Sequence, residues 1–516
     1  MPRCLAVAAL VMALVSCSAE PDRLSPTDAV RAEPRSTTTT TVAYEPRFVP
    51  GECDLERLFL PPERVDCGEL VVPEDRSDPS GAQVRLPVAI VRATQVPTHS
   101  DPVIYFSGGP GYRGLDAAGS WAALPLVADR DIITFDQRGT GGSTPNLDCP
   151  EVDDAIFAAF GKADDPGVEA TDVERAYMAC RRRLTGDGVD LARYNTVEVA
   201  NDVADLRRAL GIDQWNIFGI SYGTTVAMEM LRAHPDGVRS AVIDSVYPSD
   251  VQLGVATLES AERAFNLLVE QCAASTTCRA AHPDLRAELV IAADRLNKAP
   301  FELDVEIPTS DGGLRVVHGR FTGTDLVAGL FNALYSKDLI PLLPFFIGEV
   351  ARGNVELLSG VAQDGIDFLV SPAEAQAASV ECADRQRLVD RNQLRRAMER
   401  HFAFGAITAL RPLPQICREW AVPSAEPAFN RITPTEVPTL VSGNEFDPVT
   451  PPEQSRHAAE ALGEAATFVW FRGLGHGAVG DSTCPTSIFR AFVADPGAPL
   501  DTSCAAAMPS AQFGGG

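Results

Sequence analysis

The sequence predicts an α/β fold, with a mostly parallel central sheet flanked by helices and a large, mainly helical insertion. Three observations predict it. From about residue 68 to residue 244, short apolar runs bounded by turn residues alternate with helical stretches, the pattern of parallel strands buried on both faces. The strands then stop between about Pro248 and Pro434 and return at Val437–Gly443 and Ala466–Phe471. Glycines crowd the turns after two of the runs, where backbones must pass closely.

In chain order, Met1-Pro2-Arg3 gives a short positive start and residues 4–15 are almost wholly apolar, a run too short for a permanent membrane span. Leu14-Val15-Ser16-Cys17 is similar to a bacterial lipobox. Residues 1–16 are therefore expected to be a signal peptide, cleaved before Cys17, whose sulfur takes lipid; an ordinary secretory signal is the alternative. Residues 17–50, with the run Ser36-Thr37-Thr38-Thr39-Thr40-Thr41, hold too few apolar groups to offset ordering entropy and read as a flexible tether. The α/β core follows at 51–247, the cap at 248–434, the rest of the core at 435–505 and a flexible tail at 506–516.

Within the core, Gly68–Pro73 and Val84–Val91 read as the first two strands and Val103–Phe106 as a buried central one, leading into Ser107-Gly108-Gly109-Pro110-Gly111. Ile132–Phe135 is another strand, followed by Asp136-Gln137-Arg138-Gly139-Thr140-Gly141; Asp136 and Arg138 read as a structural pair tying this loop to the glycine turn. A helix from Asn195 to Leu210 shows a capping spacing at Asn195 and Glu198 and an apolar stripe, Val199, Val203, Leu206 and Leu210. Asp213–Phe218 is the next strand, then Gly219-Ile220-Ser221-Tyr222-Gly223, a helix from Thr224 to His234, and the strand Val238–Asp244. In the insertion, Leu258–Glu270, Thr324–Tyr335 and Arg385–His401 are helical candidates.

Gly219–Gly223 fits G-x-S-x-G, in which a serine on a strained strand-to-helix turn stands clear of the sheet. Asp447 follows the strand Val437–Gly443, and His476 sits between glycines after the strand Ala466–Phe471. Ser221, Asp447 and His476 thus occur in the order of a catalytic triad on such a sheet. Serine is a weak nucleophile, so His476 must accept its proton and Asp447 must fix the imidazole tautomer. Glu445 is the rival to Asp447, and Asp244 is a further acid of lower rank. The N–H groups of Gly109 and Tyr222 are the candidate oxyanion donors.

A formal charge of −26 argues against nucleic acid or anionic lipid as partners. Apart from Cys4 and Cys17 the chain holds ten cysteines, an even number suited to disulfides in an oxidising compartment. Sequence neighbours suggest Cys53–Cys67, Cys149–Cys180, Cys272–Cys278, Cys382–Cys417 and Cys484–Cys504. No C-x-x-C pair exists, so no metal is expected, nor any cofactor.

As an ordered set, Gly108-Gly109-Pro110-Gly111, Asp136–Gly141, Gly219–Thr224, Glu381-Cys382-Ala383-Asp384, Cys417-Arg418-Glu419-Trp420, Asp447–Pro451 and Gly475-His476-Gly477 resemble the secreted tripeptidyl aminopeptidases of actinobacteria and their mycobacterial lipoprotein relatives. These are α/β-hydrolases related to prolyl iminopeptidases. The resemblance implies the α/β-hydrolase fold with its cap, and an exported serine exopeptidase that cuts short peptides from a free N-terminus, held to the outer face of the membrane only by its lipid. Acidic cap residues would grip the α-ammonium group, and Glu381 and Asp384 lie in the matching motif. Ser107 stands where prolyl iminopeptidases carry histidine, which points away from a strict proline iminopeptidase. A peptide substrate and a monomeric enzyme are expected. An esterase or lipase on the same scaffold is the second reading; a broader endopeptidase and an inactive envelope lipoprotein come after it.

Overall fold

β-Branched and aromatic residues gather in runs of four to nine, and each run from Val65 to Phe135 becomes a strand: β2 (Val65–Pro73), β3 (Gln83–Val91), β4 (Val103–Phe106) and β5 (Ile132–Phe135). The computed structural model describes residues 44–95, 99–160, 166–308, 314–360, 362–363, 373–401, 413–480 and 483–513. The expected signal peptide, Cys17 and the tether as far as residue 43 lie outside the described residues. The sheet continues with β6 (Trp215–Ile220), β7 (Val238–Asp244), β10 (Thr439–Asn444) and β11 (Ala466–Phe471).

One strand precedes those read from the sequence. Arg47–Gly51 forms β1 and pairs antiparallel with β2, so the chain is ordered before the expected end of the tether at Pro50. The nine-stranded sheet runs β1-β2-β3-β5-β4-β6-β7-β10-β11. Its first three pairings are antiparallel and the remaining five parallel. Helices Thr196–Ala209, Tyr222–Ala233 and Pro452–Leu462 bury apolar stripes on one face. Ala118–Ala122 and Thr483–Ala494 cover the other. β6 lies between β4 and β7, which puts the glycine turn after β4 beside the serine turn after β6.

The cap, inserted between β7 and β10, has its own core. Helices Leu253–Ala274, Leu285–Lys298, Gly323–Ala333 and Leu343–Arg352 supply most of it. It is not free of strands: Phe301–Pro308 and Leu314–Phe321 form an antiparallel hairpin, β8–β9. Leu303, Val305 and Ile307 point inward while Glu302, Asp304 and Glu306 stay exposed, the period-two alternation of a half-buried strand. The expected helix Arg385–His401 is instead two helices, Glu374–Arg385 and Arg391–Arg400, with the second opened by the Asp390 side chain accepting from Asn392 and Gln393 N–H.

Residues 506–513 of the expected tail are also ordered. Phe513 is buried in the cap core, and its carbonyl accepts from the Ser275 and Thr277 hydroxyls. Ser510 donates to Gln271 and Glu445. Packing of one aromatic ring on the cap outweighs the flexibility expected of this small-residue stretch. All five suggested cysteine pairs are disulfides, which fits a protein of an oxidising compartment outside the cytoplasm. Among the described residues no helix is long and apolar enough to cross a membrane.

Candidate active site

Steric necessity builds the serine turn. A Cβ on Gly219 would lie 2.3 Å from the Gly223 carbonyl oxygen, and one on Gly223 would lie 2.1 Å from the Phe106 carbonyl oxygen. Only hydrogen fits at either place. Ser221 between them holds φ 57°, ψ −124°, a left-handed conformation that costs a non-glycine residue energy and is held by its surroundings. Its N–H donates to the Asp244 carbonyl at 3.1 Å, and its own carbonyl accepts from Thr224 N–H at 2.9 Å and from the Thr224 hydroxyl. The hydroxyl-bearing residue is half-buried at the start of helix Tyr222–Ala233.

The glycine turn abuts it. Gly108 lies closest, with its Cβ direction 3.1 Å from Ser221 Cβ and 3.5 Å from Oγ, while Gly109 holds φ 108° at the head of the turn. Ser107 is buried and pins this turn, donating to the Tyr112 carbonyl and accepting from the Gln137 amide. Asp136 and Arg138 are structural, as expected, but they do not pair with each other. Asp136 takes Arg57, Leu115 N–H and Gly142 N–H, and Arg138 is bidentate to buried Asp202. The loop's carboxylate thus takes Arg57 and its guanidinium takes Asp202 of helix Thr196–Ala209, choices that sequence distance does not reveal.

Asp447 and His476 are brought together: Nδ1 of the imidazole is 2.9 Å from Asp447 Oδ2. Asp447 is fully buried. Its burial alone pushes the carboxyl up, but His476 and the N–H groups of Thr450 and Val449 outweigh that and hold it below the usual carboxylate range. Thr450, which the sequence reading did not single out, bridges the pair, with its hydroxyl 2.8 Å from Asp447 Oδ2 and 3.2 Å from His476 Nδ1. The three-residue spacing from an aspartate is the turn signal that points to it. From the cap, Ser260 and Arg263 donate to the Asp447 carbonyl. Glu445 is not part of this arrangement; it accepts from Gly473 N–H and Ser510.

Asp244 and Ser245, at the end of β7, brace both loops from below. Asp244 is not a triad member: its carboxylate accepts from Ser442, Ala478 N–H and Val479 N–H. Complete burial raises its pKa against the pull of those donors. Ser245 holds φ 56° and accepts from Asn444 and from Gly477 N–H, both at 2.9 Å. The loop so held runs beside the serine turn, with the Cβ direction of Gly477 3.8 Å from Ile220.

The two cap acids diverge although they lie only three positions apart. Glu381 keeps slight exposure, accepts from the Tyr247 hydroxyl and lies 3.9 Å from Arg385. Tyr247 in turn is fastened to the serine turn, its N–H donating to the Thr224 hydroxyl. Asp384 is sealed, 1 % exposed, and accepts from the Thr196 hydroxyl, which also bonds Tyr222 Oη. Burial and the Glu381 charge push its carboxyl up to about 7, against Thr196 and Arg385. Asp384 is therefore a buried strut behind Tyr222, whereas Glu381 keeps a little exposure.

A strained serine after β6, with an acid after β10 and a bonded histidine after β11, defines a serine hydrolase of the α/β-hydrolase class. Residues 101–271 match the family model of the alpha/beta hydrolase fold, and residues 402–504 match that of TAP-like proteins. The serine protease Hip1 of Mycobacterium tuberculosis is 28% identical over 429 residues, covering 78% of this chain and 80% of that protein. A tripeptidyl aminopeptidase of Streptomyces lividans is 35% identical over 200 residues, 36% of each chain. A Mycobacterium tuberculosis protein named carboxylesterase B is 28% identical over 470 residues, covering 85% of this chain and 86% of that one. The fold is that of the α/β-hydrolases, and the chain is similar to their tripeptidyl aminopeptidase-like members.

Proposed function

We propose that this chain is an exported serine aminopeptidase that removes short peptides, tripeptides above all, from a free N-terminus. In this reading Ser221 Oγ attacks the scissile carbonyl as His476 takes its proton through Nε2, and Asp447 keeps Nδ1 protonated and bears the imidazolium. Gly109 and Tyr222 N–H groups receive the developing oxyanion. His476 then returns the proton to the leaving amine, and water, activated by the same imidazole, releases the short peptide from the acyl-enzyme.

The observation that supports an exopeptidase over a general hydrolase is the placement of Glu381. It is a partly buried carboxylate, oriented by Tyr247, and linked through Thr224 to the serine turn itself. A carboxylate at a fixed distance from the nucleophile is what recognition of an α-ammonium group needs. Asp384, with no access to the cleft, supports it only from behind. Glu381→Gln is expected to raise KM for a free tripeptide anilide about thirtyfold while changing kcat little, since a charged hydrogen bond present in substrate and transition state alike is lost. An unchanged KM would remove Glu381 from the substrate site.

The relative named carboxylesterase B favours a second reading, an esterase on the same triad, because acyl-serine chemistry does not distinguish an ester from an amide. We also propose that Cys17 carries lipid, on the apolar run and Leu14-Val15-Ser16-Cys17. Cys17→Ala would then shift the protein from the membrane fraction to the medium, and unchanged membrane retention would contradict the anchor.

A further inference from the structure

We propose that Tyr335, in the cap, is a positioning residue for His476. Three contacts converge on the histidine loop from the chain just beyond helix Gly323–Ala333. The His476 N–H donates to the Tyr335 carbonyl at 2.9 Å. The Tyr335 ring lies against the imidazole, centroids 4.7 Å apart and planes tilted by 57°. Gly475 packs so closely that a Cβ there would sit 2.3 Å from the Tyr335 carbonyl oxygen and 2.4 Å from that of Leu334. The Gly475-His476 pair thus has a reason in the cap as well as in the sheet.

The core already holds the loop through Ser245 and Asp244, but those bonds reach residues 477 to 479. Asp447 and Thr450 hold the histidine at Nδ1, and Tyr335 holds it at its backbone N–H and ring face. Its ring face adds a second effect. When His476 takes the serine proton it becomes a cation, and an aromatic ring within about 6 Å of a cation attracts it. The ring also occupies space that water would otherwise fill beside the imidazole. Helix Gly323–Ala333 is made rigid for this task by a full capping box between Thr322 and Asp325, and the segment following it ends on Leu334, which is buried in the cap core. The cap therefore sets the histidine as well as covering the cleft.

The role rests on the serine-hydrolase chemistry of Ser221, not on which bond is cut, so the test reads the nucleophile directly. The second-order rate of inactivation by a fluorophosphonate would be measured for the parent chain, Tyr335→Phe and Tyr335→Leu, with kcat and KM for one hydrolysed substrate. Phenylalanine keeps the ring and should retain at least a third of the parent rate. Leucine keeps the backbone contact and bulk but loses the ring, and should slow inactivation and kcat by about tenfold with KM within threefold and an unchanged Tm. Parent-like reactivity of the leucine variant, a loss confined to KM, or equal loss with phenylalanine would each overturn the proposal. If leucine does not fold, Tyr335→Met is held to the same thresholds. An unreactive parent chain would instead sink the assignment of Ser221, and this role with it.

Discussion

Asp447→Asn is expected to lower kcat by about 10⁴ while the protein still folds. The asparagine oxygen can go on accepting from Val449 and Thr450 N–H, as Asp447 Oδ1 does now at 3.0 and 2.8 Å. Its NH2 group then faces His476 Nδ1 and the Thr450 hydroxyl, where Oδ2 accepts today. An imidazole facing a donor at Nδ1 must carry its proton on Nε2, and so cannot take one from Ser221. Steady-state kinetics checks this, with Glu445→Gln as the comparison. Glu445 serves Gly473 and Ser510, so its loss should cost packing of the tail and less than tenfold in kcat. A larger loss from Glu445→Gln than from Asp447→Asn would reverse the assignment of the acid.

Gly223→Ala is expected to be among the most damaging small changes in the core. The added methyl meets the Phe106 carbonyl oxygen at 2.1 Å and its carbon at 2.8 Å. That oxygen belongs to β4, hydrogen-bonded to β6 over Val103–Phe106, so neither side can yield without separating helix from sheet. Overpacking against backbone costs on the order of 3 kcal/mol or more. Any rescue by displacement moves Ser221, and an error of about 1 Å there costs about 10² in rate. Thermal unfolding and activity should therefore fall together. A variant with parent-like Tm and kcat would show that the elbow has slack which the geometry denies it.

The same sterics explain why the elbow was legible in the sequence. Glycine at 219 and 223 is demanded by backbone contact, and a demand of that kind is written locally, as are the apolar runs that became β4 to β7. The acid and the histidine were legible because each follows a strand by a few residues, and strand order does the rest. What the sequence hid depends on partners far along the chain. Arg57 took Asp136 and Asp202 took Arg138, neither predictable from spacing. β1 is a five-residue edge strand, mostly exposed and interrupted by Pro50 and Gly51, so its antiparallel pairing to β2 had no signature. Phe513 anchors a tail made mostly of small residues. The hairpin β8–β9 is different: its alternation is present in the letters but is set among helical neighbours. Glu381 and Asp384 are both carboxylic acids on one helix, and only the packing of Tyr247 on one and Thr196 on the other separates a partly exposed acid from a buried strut.

The central claim, an amine-requiring peptidase acting through Ser221, is tested most directly by hydrolysis of three matched substrates. These are a free tripeptide anilide, its N-acetylated twin and a short-chain ester, each run with the parent chain and with Ser221→Ala. The account predicts that the free tripeptide is cut, that acetylation lowers kcat/KM by about 10² or more through loss of the ammonium contact, and that Ser221→Ala removes the activity. Hydrolysis of the ester alone, or equal cutting of both peptides, would contradict it.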